Sequence, residues 1–148
     1  MKTVNIFKKI KVDCLTNNEI INWVEDIFQN HKKQNYILCI NPEKINLFNK
    51  NKIPLTLLDK SSLRIPDGAG IVWAIKRLKN IETPRITGVD VFNDLLKIAN
   101  RLKRKIFIYG GKKGILLKSI EIIKIKYPDI IIAGYMHGYA STDESNNL

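Results

Sequence analysis

Three short stretches place reactive side chains where an apolar run turns into a helical pattern. They are Asn41-Pro42-Glu43, Pro66-Asp67-Gly68-Ala69-Gly70 and Gly110-Gly111-Lys112-Lys113-Gly114. Asp67 stands among residues that bend the chain, just ahead of an amphipathic segment, and two chemistries are open to it. The N–H groups at a helix start stabilise an ionised carboxylate, and as a cap Asp67 contributes about 1 kcal/mol. A fixed, ionised carboxylate is also what a general base requires, and the flanking glycines let another molecule approach the backbone closely. The residues alone leave both roles open.

The Gly110–Gly114 loop could cradle a diphosphate on backbone N–H groups, helped by Lys112 or Lys113. It equally fits a tight strand-to-helix turn with solvated lysines. It is neither a Walker A sequence nor the dinucleotide G-x-G-x-x-G. Arg85, in TPRITG, could grip a phosphate with two parallel hydrogen bonds or serve a surface ion pair. Asn41 offers both a donor and an acceptor to a sugar, or an Asx-type cap to the next helix.

The intervening elements must position these groups. Residues 4 to 12 (VNIFKKIKV) alternate as an extended strand or hairpin arm. Thr16-Asn17-Asn18-Glu19 forms a capping box, followed by a helix with Ile20, Ile21, Trp23, Val24, Ile27 and Phe28 inward, ending near Asn30 to Lys33. YILCI (36–40), KIFIY (105–109) and IIIAGY (130–135) are short apolar runs of the kind buried on both faces of a parallel sheet. LRIP (63–66) is a brief strand, and 53–62 is ambiguous. Helices are expected from Pro42, over 70–80, over 89–103 and up to about Tyr127 before Pro128. This alternation predicts an α/β fold: a Rossmann-like three-layer sandwich with a largely parallel sheet and helices on both faces. In such sheets ligands collect at the carboxyl ends of strands, where all three loops fall.

Composition narrows the functional classes. The chain has 148 residues, 45% hydrophobic and 26% charged, consistent with one soluble domain. No apolar run is long enough to span a membrane, and MKTVNIFKKIKV is too interrupted by charge for a signal peptide, so a cytoplasmic location is expected. Cys14, Cys39, His31 and His137 are isolated, which argues against a structural metal site. A net charge of +11 calls for an acidic partner: nucleic acid, an anionic membrane or a phosphorylated substrate. The same charge fits a compositional bias toward Lys, Ile and Asn. With five arginines against twenty lysines, scattered rather than striped, a nucleic-acid-binding module is the weaker reading.

CINPEKINLF, IPDGAGIVWAIK, PRITGVDVFNDLL, KIFIYGGKKG and GYMHGY occur in that order. Together they resemble the WecG/TagA/CpsF family of bacterial glycosyltransferases over nearly the whole chain. The resemblance implies an inverting transfer of an N-acetylmannosamine-type sugar from a UDP donor. The acceptor is a polyprenyl-diphosphate-linked amino sugar, and neither metal nor organic cofactor takes part. It implies Asp67 as general base, with Asn41, Arg85, Thr87, Gly88, Gly110 and Gly111 binding substrate. It also implies work at the inner face of the cytoplasmic membrane, an anionic surface as partner, a homo-oligomer, and no nucleic acid. Cys39 stands where the family usually has threonine. Relatives continue with a G-x-P-x-Q-E segment and a basic membrane-contacting tail, so residues 1–148 are expected to be a single transferase domain lacking these. That makes the chain a truncated form, a gene fragment or one piece of a split protein, for which an inactive fragment is the alternative.

Overall fold

The computed structural model describes residues 2–7, 10–30 and 34–140. The expected end of the first helix at 31–33, His31, and the polar residues 141–148 lie outside the described residues. The chain is α/β, and it divides into two compact units, Met1–Asn93 and Asp94–Leu148.

In the first unit, β1 (Lys2–Ile6) and β2 (Ile10–Cys14) form an antiparallel hairpin with Val4 opposite Val12 and Ile6 opposite Ile10. The alternation over 4–12 is therefore two arms rather than one strand, and all four of these side chains are buried. Helix α1 (Asn17–Asn30) opens on the expected box: Thr16 N–H donates to Glu19 Oε2 at 2.7 Å, and Glu19 N–H donates to Thr16 Oγ1 at 3.3 Å. These bonds from Thr16 hold the exposed Glu19 carboxyl below its ordinary pKa.

Strand β3 (Ile37–Ile40) leads into α2 (Pro42–Asn49), and the ambiguous 53–62 stretch contains a short helix, α3 (Thr56–Lys60). Strand β4 (Leu63–Pro66) then returns parallel to β3, with Ile37 paired to Leu63 and Ile40 to Pro66. Helix α4 (Ala69–Lys79) stops at Asn80, whose left-handed φ of 52° turns its N–H onto the Lys76 carbonyl. One core joins these pieces: Val4, Ile6, Ile10 and Val12 of the hairpin meet Ile40, Ile45, Phe48, Leu58, Ile71 and Ile75.

A polar tie crosses this core. Asp13 is completely buried, and its carboxylate accepts from Thr3 Oγ1 at 2.6 Å and from the backbone N–H of Arg64 at 2.8 Å. The Arg64 guanidinium lies 2.9 Å from the same carboxylate and also donates to the Ser61 carbonyl. Strand β2 is thereby pinned to β4, three residues ahead of Asp67.

Helix α5 (Gly88–Arg101) begins in the first unit. In the second, β5 (Lys105–Tyr109) and β6 (Ile131–Met136) pair in parallel around helix α6 (Lys113–Lys126), with a register shift between Ile106 and Phe107. Ile106, Ile108 and Ile132 pack on Leu96, Ala99, Ile123, Tyr127 and Ile130. The expectation that these two strands are buried on both faces is corrected. Phe107, Tyr109, Ile131 and Tyr135 alternate with the packed residues and are 45% to 64% exposed. An apolar run reports that a strand is sticky on both sides, not that both sides are covered.

Candidate active site

The site is built in the first unit, where two parallel strands end together. Asp67 N–H donates to the Ile40 carbonyl at 2.9 Å, and Ile86 N–H donates to the Pro66 carbonyl at 3.2 Å. The first bond aligns the loops after β3 and β4. The second stitches the segment carrying Arg85 and Thr87 to the residue before Asp67. Pro42 closes on the same turn, since a Cβ on Gly70 would meet its ring at 3.5 Å.

Asp67 is half-buried, and its carboxylate has neither a hydrogen bond nor an ion pair among the described residues. Of the two roles open to it, capping α4 is not the one it takes. The cap position falls one residue later, on Gly68, which adopts φ 104° and supplies no side-chain cap. Both oxygens of this carboxylate at the strand end are thus without a partner among the described residues.

Its surroundings are close and electrically quiet. A Cβ on Gly88 would lie 2.8 Å from Cys39 Sγ and 3.8 Å from Asp67 Oδ2. Gly88 thus lets the start of α5 press against both groups. Burial pushes the Cys39 thiol up; Lys44 pulls it down and the Asp67 carboxylate pushes it up again, with a net rise. A thiol so raised stays neutral and adds no second negative charge beside Asp67.

Replacing Gly88 by Ala is expected to destabilise the fold by about 1–3 kcal/mol through overpacking against Cys39, although alanine is the better helix former. Thermal melting measures the loss, and pairing Gly88→Ala with Cys39→Ala should recover most of it.

The other expected ligands are placed less uniformly. Asn41 caps α2: its Oδ1 accepts the Lys44 N–H at 2.8 Å, leaving the amide Nδ2 as the group it can offer. Thr87 caps α5 reciprocally, donating to Asp90 Oδ2 at 2.5 Å and accepting the Asp90 N–H at 3.1 Å. Its hydroxyl proton is committed to that cap, and the signal was in the sequence, since Thr87-Gly-Val-Asp90 has capping-box spacing. Arg85 is exposed and has no ion pair among the described residues.

Gly110 and Gly111 belong to the second unit. Their φ values of 129° and 68° require glycine. Gly110 N–H is spent on the Met136 carbonyl at 2.9 Å, so an anion cradle there is left with Gly111 and the first turn of α6. Sequence reasoning missed Gly138. Its N–H donates to the Gly111 carbonyl at 2.9 Å, and a Cβ on it would meet Gly110 Cα at 3.4 Å. Among the described residues no group of three or more His, Cys, Asp or Glu could hold a metal ion.

These features define an α/β protein with a half-buried carboxylate at the carboxyl ends of parallel strands. The profile of the Glycosyl transferase WecG/TagA/CpsF family matches residues 4–148, and the chain belongs to that family. It is 36% identical over 119 residues to the N-acetylglucosaminyldiphosphoundecaprenol N-acetyl-beta-D-mannosaminyltransferase of Bacillus subtilis (strain 168), covering 80% of this chain and 46% of that protein. The protein of the same name from Staphylococcus aureus (strain NCTC 8325) is 31% identical over 142 residues, 90% of this chain and 56% of its own length. The chain spans about half the length of the curated relatives it matches.

Proposed function

We propose that this chain carries the base-bearing part of an inverting glycosyltransferase, with residues 1–148 serving one transferase domain. The substrates are a UDP-linked N-acetylmannosamine-type sugar and a polyprenyl-diphosphate-linked N-acetylglucosamine, the acceptor chemistry in the relatives' names. The observation that carries the reading is the half-buried Asp67 carboxylate, without a partner among the described residues, beside Gly88 and a neutral Cys39.

In a single displacement, Asp67 takes the proton of the acceptor hydroxyl as that oxygen attacks the anomeric carbon. The bond to the UDP oxygen breaks on the opposite face, UDP departs with the electron pair, and the anomeric centre inverts. Asn41 Nδ2 donates to a sugar oxygen. The exposed Arg85 guanidinium offsets phosphate charge. In the second unit, on its own geometry, Gly111 and the first turn of α6 offer backbone N–H groups to a diphosphate, the Gly110 N–H being spent on Met136. The products serve cell-surface polysaccharide or teichoic acid synthesis, with the enzyme peripheral at the inner face of the cytoplasmic membrane.

The shared length favours one further reading, that this stretch binds substrate without turning it over. A single assay separates the two. The chain is incubated with UDP-N-acetylmannosamine and undecaprenyl-diphosphate-N-acetylglucosamine, and disaccharide lipid is followed by chromatography while UDP binding is followed by calorimetry. Disaccharide formation supports the transferase reading. UDP binding without product supports the partial-site reading, and neither signal overturns both. In the turning-over form, Arg85→Ala is expected to weaken a phosphate-bearing substrate roughly tenfold in KM, since a charged hydrogen bond contributes about 1.5–3 kcal/mol and Arg85 is exposed.

A further inference from the structure

We propose that Pro42 is a positioning residue for Asp67: its ring braces the glycine joint on which the carboxylate is mounted. The joint lies directly after Asp67. Gly68 takes the left-handed φ of 104° that turns the chain out of β4 and into α4, and Gly70 lies in the first turn of that helix. Glycine has more backbone freedom than any other residue. A side chain mounted just ahead of such a pair needs a hold from outside its own segment.

Proline supplies what the glycines lack. Its φ is locked at about −65°, and at the first position of α2 its missing N–H costs nothing. Asn41 ahead of it is extended, at φ −132° and ψ 167°, and caps α2, which fixes the ring relative to the end of β3. From there the ring faces both glycines: a Cβ on Gly68 would lie 3.9 Å from Pro42 Cδ, and one on Gly70 3.5 Å from Pro42 Cγ. The Asp67 N–H, for its part, donates to the Ile40 carbonyl at 2.9 Å. Residues 40 and 42 thus hold the chain on either side of the carboxylate, one by a hydrogen bond and one by packing.

Pro42 and Gly70 are both exposed. The contact therefore buries little surface and adds little stability; what it sets is position. Gly70 has no left-handed φ, so alanine is conformationally acceptable there, and its Cβ would make ordinary van der Waals contact with Pro42. That separates two uses of the glycine, room for the proline ring and room for a substrate. The consequence for catalysis rests on the transferase reading, whereas the brace itself does not.

The test is hydrogen exchange at the Asp67 amide, read by NMR in this chain, beside steady-state transfer in the shortest chain that turns over. In Pro42→Ala the amide should exchange faster. There kcat should fall by about tenfold to a hundredfold, the cost of a misplaced group, with KM unchanged and circular dichroism showing an intact fold. Gly70→Ala alone should leave exchange and turnover as they are. Added to Pro42→Ala, it puts a methyl group toward the space the ring leaves and should restore part of both. A gain in kcat confined to the Pro42→Ala background marks a contact rather than general helix stabilisation. Unchanged exchange in Pro42→Ala, a loss that falls on KM, or additive effects of the two substitutions overturns the proposal. A raised KM in Gly70→Ala alone does so too, because the glycine then serves a ligand. Faster, rescued exchange in a chain whose transfer is absent or indifferent to Pro42→Ala leaves the brace standing and removes Asp67 as the base.

Discussion

Asp67→Asn is expected to lower sugar transfer by roughly two to four orders of magnitude, the range that general-base catalysis supplies. Asparagine keeps the shape of the side chain and removes its capacity to accept the acceptor's proton. The loss should fall on kcat, with KM for the UDP-sugar little changed, because the lost interaction belongs to the transition state. Stability should move by less than about 0.5 kcal/mol, since Asp67 neither caps α4 nor bonds to any described residue. That combination separates catalyst from scaffold: a structural carboxylate would lose stability first and activity with it. The measurement is initial rate against both substrates, in the shortest chain that turns over, beside a thermal melt. Full turnover in the variant overturns the assignment.

Much of this arrangement is legible from sequence because it is local. The Thr16–Glu19 box, the Pro42 helix start, the alternating hairpin and the strand-then-loop placement of Asn41 and Asp67 all depend on neighbours within a few residues. The cap at α4 shows where local reasoning stops. Which of two adjacent residues takes the cap position depends on one backbone turn, and Gly68 at φ 104° moves the helix start past Asp67. Contacts between distant residues leave no local signal at all. The fit of Gly88 against Cys39 joins positions 49 apart in the chain. The outer face of β5 and β6 is a third case: KIFIY and IIIAGY have the same composition whether one face is covered or two. Side-chain identity sets the affinity of a face for apolar cover, and tertiary structure decides whether the cover is there.

The largest stability effect is expected at a residue that no motif marks. Asp13→Ala should cost about 3–5 kcal/mol, the penalty for breaking a buried ion pair by removing one partner. That is a large share of the roughly 5–15 kcal/mol that holds a domain folded. The substitution strands three donors at once: the Thr3 hydroxyl, the Arg64 backbone N–H and the guanidinium edge facing Asp13. Arg64 keeps its bonds to the Ser61 and Leu58 carbonyls, so its charge stays in place, buried and unpaired. Asp13→Asn should cost less, because an amide oxygen still accepts from Thr3 or from the Arg64 N–H. Asp13→Ala combined with Arg64→Met should also cost less than Asp13→Ala alone, since the stranded charge is gone. Urea unfolding measures each as a shift in midpoint at constant slope. A loss below about 1 kcal/mol in Asp13→Ala would show that the pin between β2 and β4 is dispensable. The pin also bears on chemistry, because β4 runs from Arg64 to Asp67 in three residues. A carboxylate without a bond to any described residue owes its position to the strand behind it, which the pairing with β3 and the Asp13–Arg64 tie hold together.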